Sequence, residues 1–330
     1  VIEKYGADAL RFTLISGNSP GNDSRFSLEK VESARNFANK LWNASRFVLM
    51  NLKISENKLP QALELEDKWI LSKLNKVIKE VNDNLNSYEI GVAVSKLYDF
   101  IWDDFCDWYI ELAKMRLFET NKNEATRISA QQVLLYVLTD ILKLLHPVMP
   151  FITEEIYQCI PHDTESIMIS DYPQYKEELN FTVEEEQMGR IMELIKAIRN
   201  RRSEMNVPPS QKASIFIETD MPEVFEKGKA FFERLASAAN VEIGKGFEFK
   251  NAVLIVTDGA RTFIPLNELI DLEKEKERLL KEKAKLEDEI KRVEGKLNNQ
   301  GFINKAPASV VEEERAKGEK YKTMLQKVNE

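Results

Sequence analysis

Between Leu28 and Leu52 four side chains recur at steps of four, three and four residues: Arg35, Asn39, Trp42 and Arg46, with Asn43 beside them. At about 100° per residue a helix lays them on one stripe, roughly 110° round from an apolar stripe of Val31, Ala34, Ala38, Leu41, Ser45 and Val48. Such a stripe flanks a core without entering it. Guanidinium groups neutralise phosphate, a carboxamide hydrogen-bonds a base edge and an indole offers a stacking face, which together is what single-stranded RNA requires of a protein. The same residues admit a second reading, in which Trp42 packs on a neighbouring helix and the arginines form surface ion pairs. A further basic group, Lys196, Arg199, Arg201 and Arg202, closes a helix expected from Val183 to Met205. There it either complements the negative end of the helix dipole or touches RNA.

Signatures of catalysis are missing. The chain has no glycine-rich phosphate loop and no Gly-x-Ser-x-Gly, and its two histidines, His146 and His162, are not in zinc spacing. His146 precedes Pro147 at a helix end, where a structural imidazole is expected. Asp103, Asp107 and Glu111 fall at i, i+4 and i+8. They could hold a cation, but a solvated or lysine-paired face is the expectation. Cys106 and Cys159 sit in apolar helical patterns without a CxxC, which fits a reducing compartment. Neither an active site, a metal site nor a bound cofactor is expected on these residues.

Elements must hold the stripe in place. With 330 residues, 43% hydrophobic and 31% charged, and only 12 glycines and 11 prolines, the sequence has material for several cores and favours helices over strands. A net charge of −8 weighs against nucleic acid as a partner. Distribution decides otherwise locally: from Arg25 to Lys53 six basic residues face two acidic ones. The longest uncharged run, Ile128–Thr139, has 12 residues against the roughly 20 that a membrane span needs. A cytoplasmic, monomeric protein without membrane contact is expected. The sequence begins at Val1, inside a stretch that reads as structured, so further chain is expected before it.

Periodicity predicts a short helix around Tyr5–Ile15, a turn-rich loop from Ser16 to Asp23, and helices over about Leu28–Leu52, Leu63–Leu85, Ile90–Phe118 and Glu124–Leu145. Thr153 is a candidate cap for a short helix running to Ile160, and Ser27 for the helix that starts at Leu28. After Val207-Pro-Pro209, β-branched runs at 213–217 and 252–256, with Arg261–Pro265, predict strands, and a helix is expected from Glu223 to Ala239. Beyond Leu266 the 64 remaining residues carry 15 basic and 15 acidic side chains. There Leu272, Leu279, Leu286, Ile290, Val293 and Leu297 follow a heptad seam, with Val311, Tyr321, Leu325 and Val328 on a return strand and a turn at Asn298–Ser309 holding Phe302 and Ile303. The expected fold is mostly α: a helical bundle, a small α/β module and an antiparallel coiled-coil hairpin. Boundaries are expected at a junction 1–27, the bundle 28–180, a long helix with the α/β module 181–265, and an arm 266–330.

Arg35-Asn-Phe-Ala-Asn-Lys-Leu-Trp-Asn-Ala-Ser-Arg-Phe47 resembles the opening helix of the anticodon-binding domain in class I aminoacyl-tRNA synthetases of the valine branch. Tyr5-Gly-Ala-Asp-Ala-Leu-Arg11 is similar to the segment that follows the family's KMSKS loop. Trp102–Ile110, Leu145–Glu155, Ala197–Pro209 and the run from Val293 to Val311 match the same family in order. The resemblance covers essentially the whole chain, and the arm points to valine more than to isoleucine or leucine enzymes, with the same region of an isoleucine-type synthetase as the alternative within the family. It implies an anticodon-reading bundle and a coiled-coil arm that touches the outer corner of tRNAVal. It also implies that the catalytic and editing domains, with ATP and Mg2+, belong to chain before Val1. Under it Trp69, near Lys73, becomes a second candidate for stacking on an anticodon base, with bundle packing as the other possibility. A helical coiled-coil scaffold without RNA is the alternative from a different functional class.

Overall fold

The computed structural model describes residues 1–17, 25–118, 123–269, 272–298 and 308–329. The tip of the expected loop at 18–23, the hairpin turn with Phe302 and Ile303, and the side chains of Leu272, Leu279 and Val328 lie outside the described residues. The chain divides into two compact units, one of residues 1–193 with 226–231 and the other of 194–225 with 232–330.

The first unit is helical. Its opening helix is broken in two, α1 (Ile2–Tyr5) and α2 (Ala7–Ile15), because Gly6 between them has φ 89°, a left-handed conformation that stops one helix before the next begins. In α3 (Leu28–Asn51) the buried side chains are Val31, Ala34, Phe37, Leu41, Ala44, Ser45 and Val48. Phe37 goes to the core in place of the expected Ala38, its ring 5.0 Å from Phe12 and 4.8 Å from Tyr98. Ser27 precedes α3 but its hydroxyl caps nothing.

Helix α4 (Leu65–Asn86) is buried on more than one face, taking in Trp69, Ile70, Leu71, Leu74, Val77, Ile78 and Val81. The helix expected from Ile90 to Phe118 is continuous but not uniform: α5 (Ile90–Asp99), a π-helical segment (Phe100–Tyr109) and α6 (Ile110–Leu117). In the wider π turn, residues five apart share a face, and Phe100, Phe105 and Ile110 are all buried. An ionic knot fixes this helix to the start of α4. The Arg116 guanidinium donates to Glu66 at 3.0 Å and to both oxygens of Asp67 at 2.8 Å, and the Tyr109 hydroxyl donates to Asp67 at 2.7 Å.

Helix α7 (Glu124–Leu145) is buried on nearly every side from Val133 to Leu145, with its charged residues confined to the first turn, Asp140 and Lys143. It is long and apolar enough to cross a bilayer by length and composition, yet 67% of that window is buried inside the protein. The next helix, α8 (Pro150–Tyr157), starts earlier than expected, and Thr153 is not its cap. Pro150 takes the first turn, where a missing N–H costs nothing. The free amides of Phe151 and Ile152 are instead satisfied by the Asp8 carboxylate of α2, at 3.3 and 2.7 Å. Thr153, fully buried, bonds the Met149 carbonyl and the His146 ring. Arg11 completes the joint through the carbonyls of Val148 and Pro147, each at 3.0 Å.

The long helix α9 (Thr182–Glu204) is shared between the units at Glu193/Leu194. In the second unit four strands, β1 (Ala213–Glu218), β2 (Ala238–Gly244), β3 (Ala252–Thr257) and β4 (Ala260–Pro265), form a sheet in the order β2-β1-β4-β3. The β1–β2 pair is parallel and the others are antiparallel. Strand β2 corrects the expected helix Glu223–Ala239, which is in fact two short helices, α10 (Pro222–Lys227) and α11 (Lys229–Leu235), parted at Gly228. After α12 (Leu266–Leu269), helices α13 (Leu272–Asn298) and α14 (Ala308–Asn329) run antiparallel. Lys296 pairs with Glu314 at 3.3 Å and Glu294 with Lys322 at 3.1 Å, while Leu286 and Val293, seven residues apart, are both buried as the heptad expects.

Candidate nucleic-acid interface

Helix α3 divides into three lengthwise zones. One is the buried stripe. A second meets the π segment and α6: Lys40 sits 3.6 Å over the Trp102 ring and 2.7 Å from Asp107, and the Lys114 ammonium lies 5.2 Å from the Phe47 ring. The third zone is open. Asn39, Trp42, Asn43 and Arg46 are all exposed on it, the Trp42 indole at 44%, and none of the four has an ion pair or hydrogen bond among the described residues. An unpaired guanidinium, two free carboxamides and a bare indole therefore share one surface. Met50, 75% exposed and one turn past Arg46, prolongs it. The i+4 step from Arg46 was the only signal in the sequence that could have found it.

Arg35 starts the stripe but is partly committed. Its guanidinium lies 5.4 Å from the Tyr5 ring centre and 3.3 Å from Glu32. Trp69 corrects an expectation: its indole is 3% exposed, so no base can stack on it here. The cause is that α4 is buried on adjacent faces, so that a residue next to Ile70 falls inside the bundle. Lys73, expected with it, is 3.3 Å from Asp104, and Lys68 is 2.9 Å from Glu184.

The second basic group belongs to the other unit and is not a single cluster in function. Arg202 corrects the expectation for it: only 6% exposed, it donates to the carbonyls of Pro208, at 3.3 Å, and Gln211, closing the turn after α9. Burial lowers its pKa from the usual value. Arg201 is paired with Glu204 at 3.1 Å, and Lys196 and Arg199 are exposed.

Polar groups elsewhere are structural. The His146 Nδ1 is 2.7 Å from Thr153 Oγ1, and burial lowers the imidazole pKa. Asp107 and Glu111 are lysine-paired, with Lys40 and Lys114, as expected. Among the described residues no three His, Cys, Asp or Glu side chains are grouped so as to hold a metal ion. The Cys106 thiol is pushed up to about 12 by burial, the reverse of what a reactive thiolate needs.

Residues 67–217 match the model of the anticodon-binding domain of tRNA ligases, and residues 271–330 that of the valyl-tRNA synthetase tRNA-binding arm. The α3 stripe precedes the first match. It lies within the longer similarity to valine–tRNA ligases of Clostridium acetobutylicum (54% identical), Clostridium perfringens (52%) and Clostridium tetani (55%), each covering 100% of this chain. The chain spans 38% of the length of those relatives. Over its whole length it belongs to the valine–tRNA ligase family, as the part that carries the anticodon-binding domain and the tRNA-binding arm.

Proposed function

We propose that this chain binds the tRNA that its relatives charge with valine, with the open face of α3 meeting the anticodon loop and the α13–α14 arm meeting the tRNA body. One observation carries the reading: Asn39, Trp42, Asn43 and Arg46 are exposed and unpartnered among the described residues, on a helix whose adjacent Lys40 is held by a carboxylate. Phosphate neutralisation, base-edge hydrogen bonding and stacking are all available there. In a longer ligase of this family, a catalytic domain would join valine to tRNAVal with ATP and Mg2+ and an editing domain would hydrolyse mischarged tRNA, both as this chain's covalent partners. The setting is a cytoplasmic monomer. The exposed Lys196 and Arg199 are secondary contacts; the buried Arg202 and Trp69 and the ion-paired Arg201 and Lys73 are not.

Binding of tRNAVal and of other tRNAs at two salt concentrations tests this reading. Affinity should favour tRNAVal and fall steeply with salt as counterions are released, with a slope of about 0.7–0.9 per phosphate contacted. A chain that binds no tRNA, or binds a protein through the arm without salt dependence, sinks the proposal.

A further inference from the structure

The open face of α3 borders an acidic edge. The helix running through the π segment exposes Asp99, Asp103 and Asp107, and half-buries Asp104. Two of these carboxylates hold lysines of the flanking helices: Asp107 holds Lys40 of α3 at 2.7 Å, and Asp104 holds Lys73 of α4 at 3.3 Å. The π turn is what lets one short stretch do both. Because its hydrogen bonds span five residues, three residues complete a smaller part of a turn than in an α-helix, and side chains three apart diverge further. Asp104 and Asp107 therefore reach different helices. Lys40 is held twice, since its ammonium also lies 3.6 Å over the Trp102 ring.

We propose that Asp104 and Asp107 determine specificity, by withholding Lys40 and Lys73 from RNA phosphate. This rests on the RNA-binding reading of the α3 face and goes beyond it. A lysine–phosphate contact raises affinity for every RNA alike, because phosphates carry no sequence. A face that must tell one anticodon loop from others gains from having few free cations, and of the stripe cations and their lysine neighbour, Arg35, Lys40 and Arg46, Arg46 has no ion pair among the described residues. The two aspartates set that ratio. They touch no RNA themselves and act through the lysines they occupy.

The test uses the whole chain with both aspartates changed, Asp104→Asn with Asp107→Asn, isosteric replacements that release the lysines. Binding of tRNAVal, a non-cognate tRNA and a single-stranded RNA oligonucleotide is followed by fluorescence anisotropy across a salt series. Non-cognate and oligonucleotide affinity should rise about threefold to tenfold near 0.1 M salt, the salt slope should steepen by about 0.7 for each lysine engaged, and preference for tRNAVal should shrink. The charge-keeping pair Asp104→Glu with Asp107→Glu should retain wild-type preference. Adding Lys40→Gln and Lys73→Gln to the double-asparagine protein should return affinity, slope and preference to wild-type values, because the released lysines supply the gain and the neutral pairs are replaced by neutral side chains. Unchanged slope and preference in a folded double-asparagine protein overturns the proposal, as does a gain that persists when both lysines are also replaced. If the wild type binds no tRNA, the functional reading falls first and takes this one with it; a selective wild type with indifferent variants defeats this inference alone.

Discussion

Arg46→Ala is the perturbation on which the RNA reading depends most. The side chain is exposed, has no ion pair or hydrogen bond among the described residues, and stands one turn beyond Trp42. Its removal breaks no ion pair and opens no cavity, so stability should move by no more than about 0.5 kcal/mol. Binding is where the change should appear. If the guanidinium reads a base edge, tRNAVal should lose roughly 1–3 kcal/mol, about fivefold to 150-fold in Kd, and discrimination between anticodons should fall. If it meets only phosphate, every tRNA should lose a similar factor and the salt slope should fall by about one. Arg35, already shared between Tyr5 and Glu32, should show a smaller loss when replaced by alanine. Filter binding of tRNAVal and two other tRNAs at two salt concentrations, with thermal melting of each variant, separates the cases. A folded Arg46→Ala protein that binds tRNAVal at full strength would show that the stripe is not the RNA surface.

The ionic knot and the α2–α8 joint give three more expectations. Arg116→Ala leaves two buried carboxylates, Glu66 and Asp67, without their cation, and should cost about 3–5 kcal/mol in a urea titration. The Glu66 carboxyl is pushed up to about 7 by burial and then by Asp67, against the pull of Arg116. A raised carboxyl contributes stability that is complete below its usual value near 4.5 and is lost as pH rises through about 7, so Glu66→Gln should melt like the wild type near pH 5 and be more stable by up to about 3 kcal/mol at pH 8.5. Parallel melting differences at both pH values would refute that account. Asp8→Ala should cost about 1 kcal/mol as a lost helix cap and speed hydrogen exchange at the Phe151 and Ile152 amides specifically.

What could be foreseen followed from phase, and what could not came from distant partners. The exposure of Asn39, Trp42 and Arg46 was legible because the apolar residues of α3 fix the helix rotation, and every other position then has a defined angle. The same reasoning failed for Trp69, since a helix buried on two faces gives no single stripe from which to measure. The start of α8 was hidden for another reason: its cap, Asp8, lies 143 and 144 residues away from the amides it satisfies. Strand β2 was missed because residues 223–239 carry helical apolar spacing almost up to Ala238, and the break depends on Ser237 taking φ 54°, a local strain that composition does not announce.

The charge balance shows why a count of basic residues misleads in such a protein. A net charge of −8 counts every cation equally, yet an ammonium already 2.5–3.3 Å from a carboxylate contributes little to a phosphate field. Lys40, Lys68, Lys73 and Lys76 are all in that condition, each held across helices. Their pairing serves the bundle, joining α3 and α4 to the π segment and α9. The pairing of Lys40 with Asp107 also removes a cation from beside the stripe, so that what Arg46, Trp42 and the two asparagines touch is decided by the shape and edges of the partner more than by its charge. An acidic protein can therefore present a selective RNA-reading face, provided that the few free cations stand next to groups able to recognise a base.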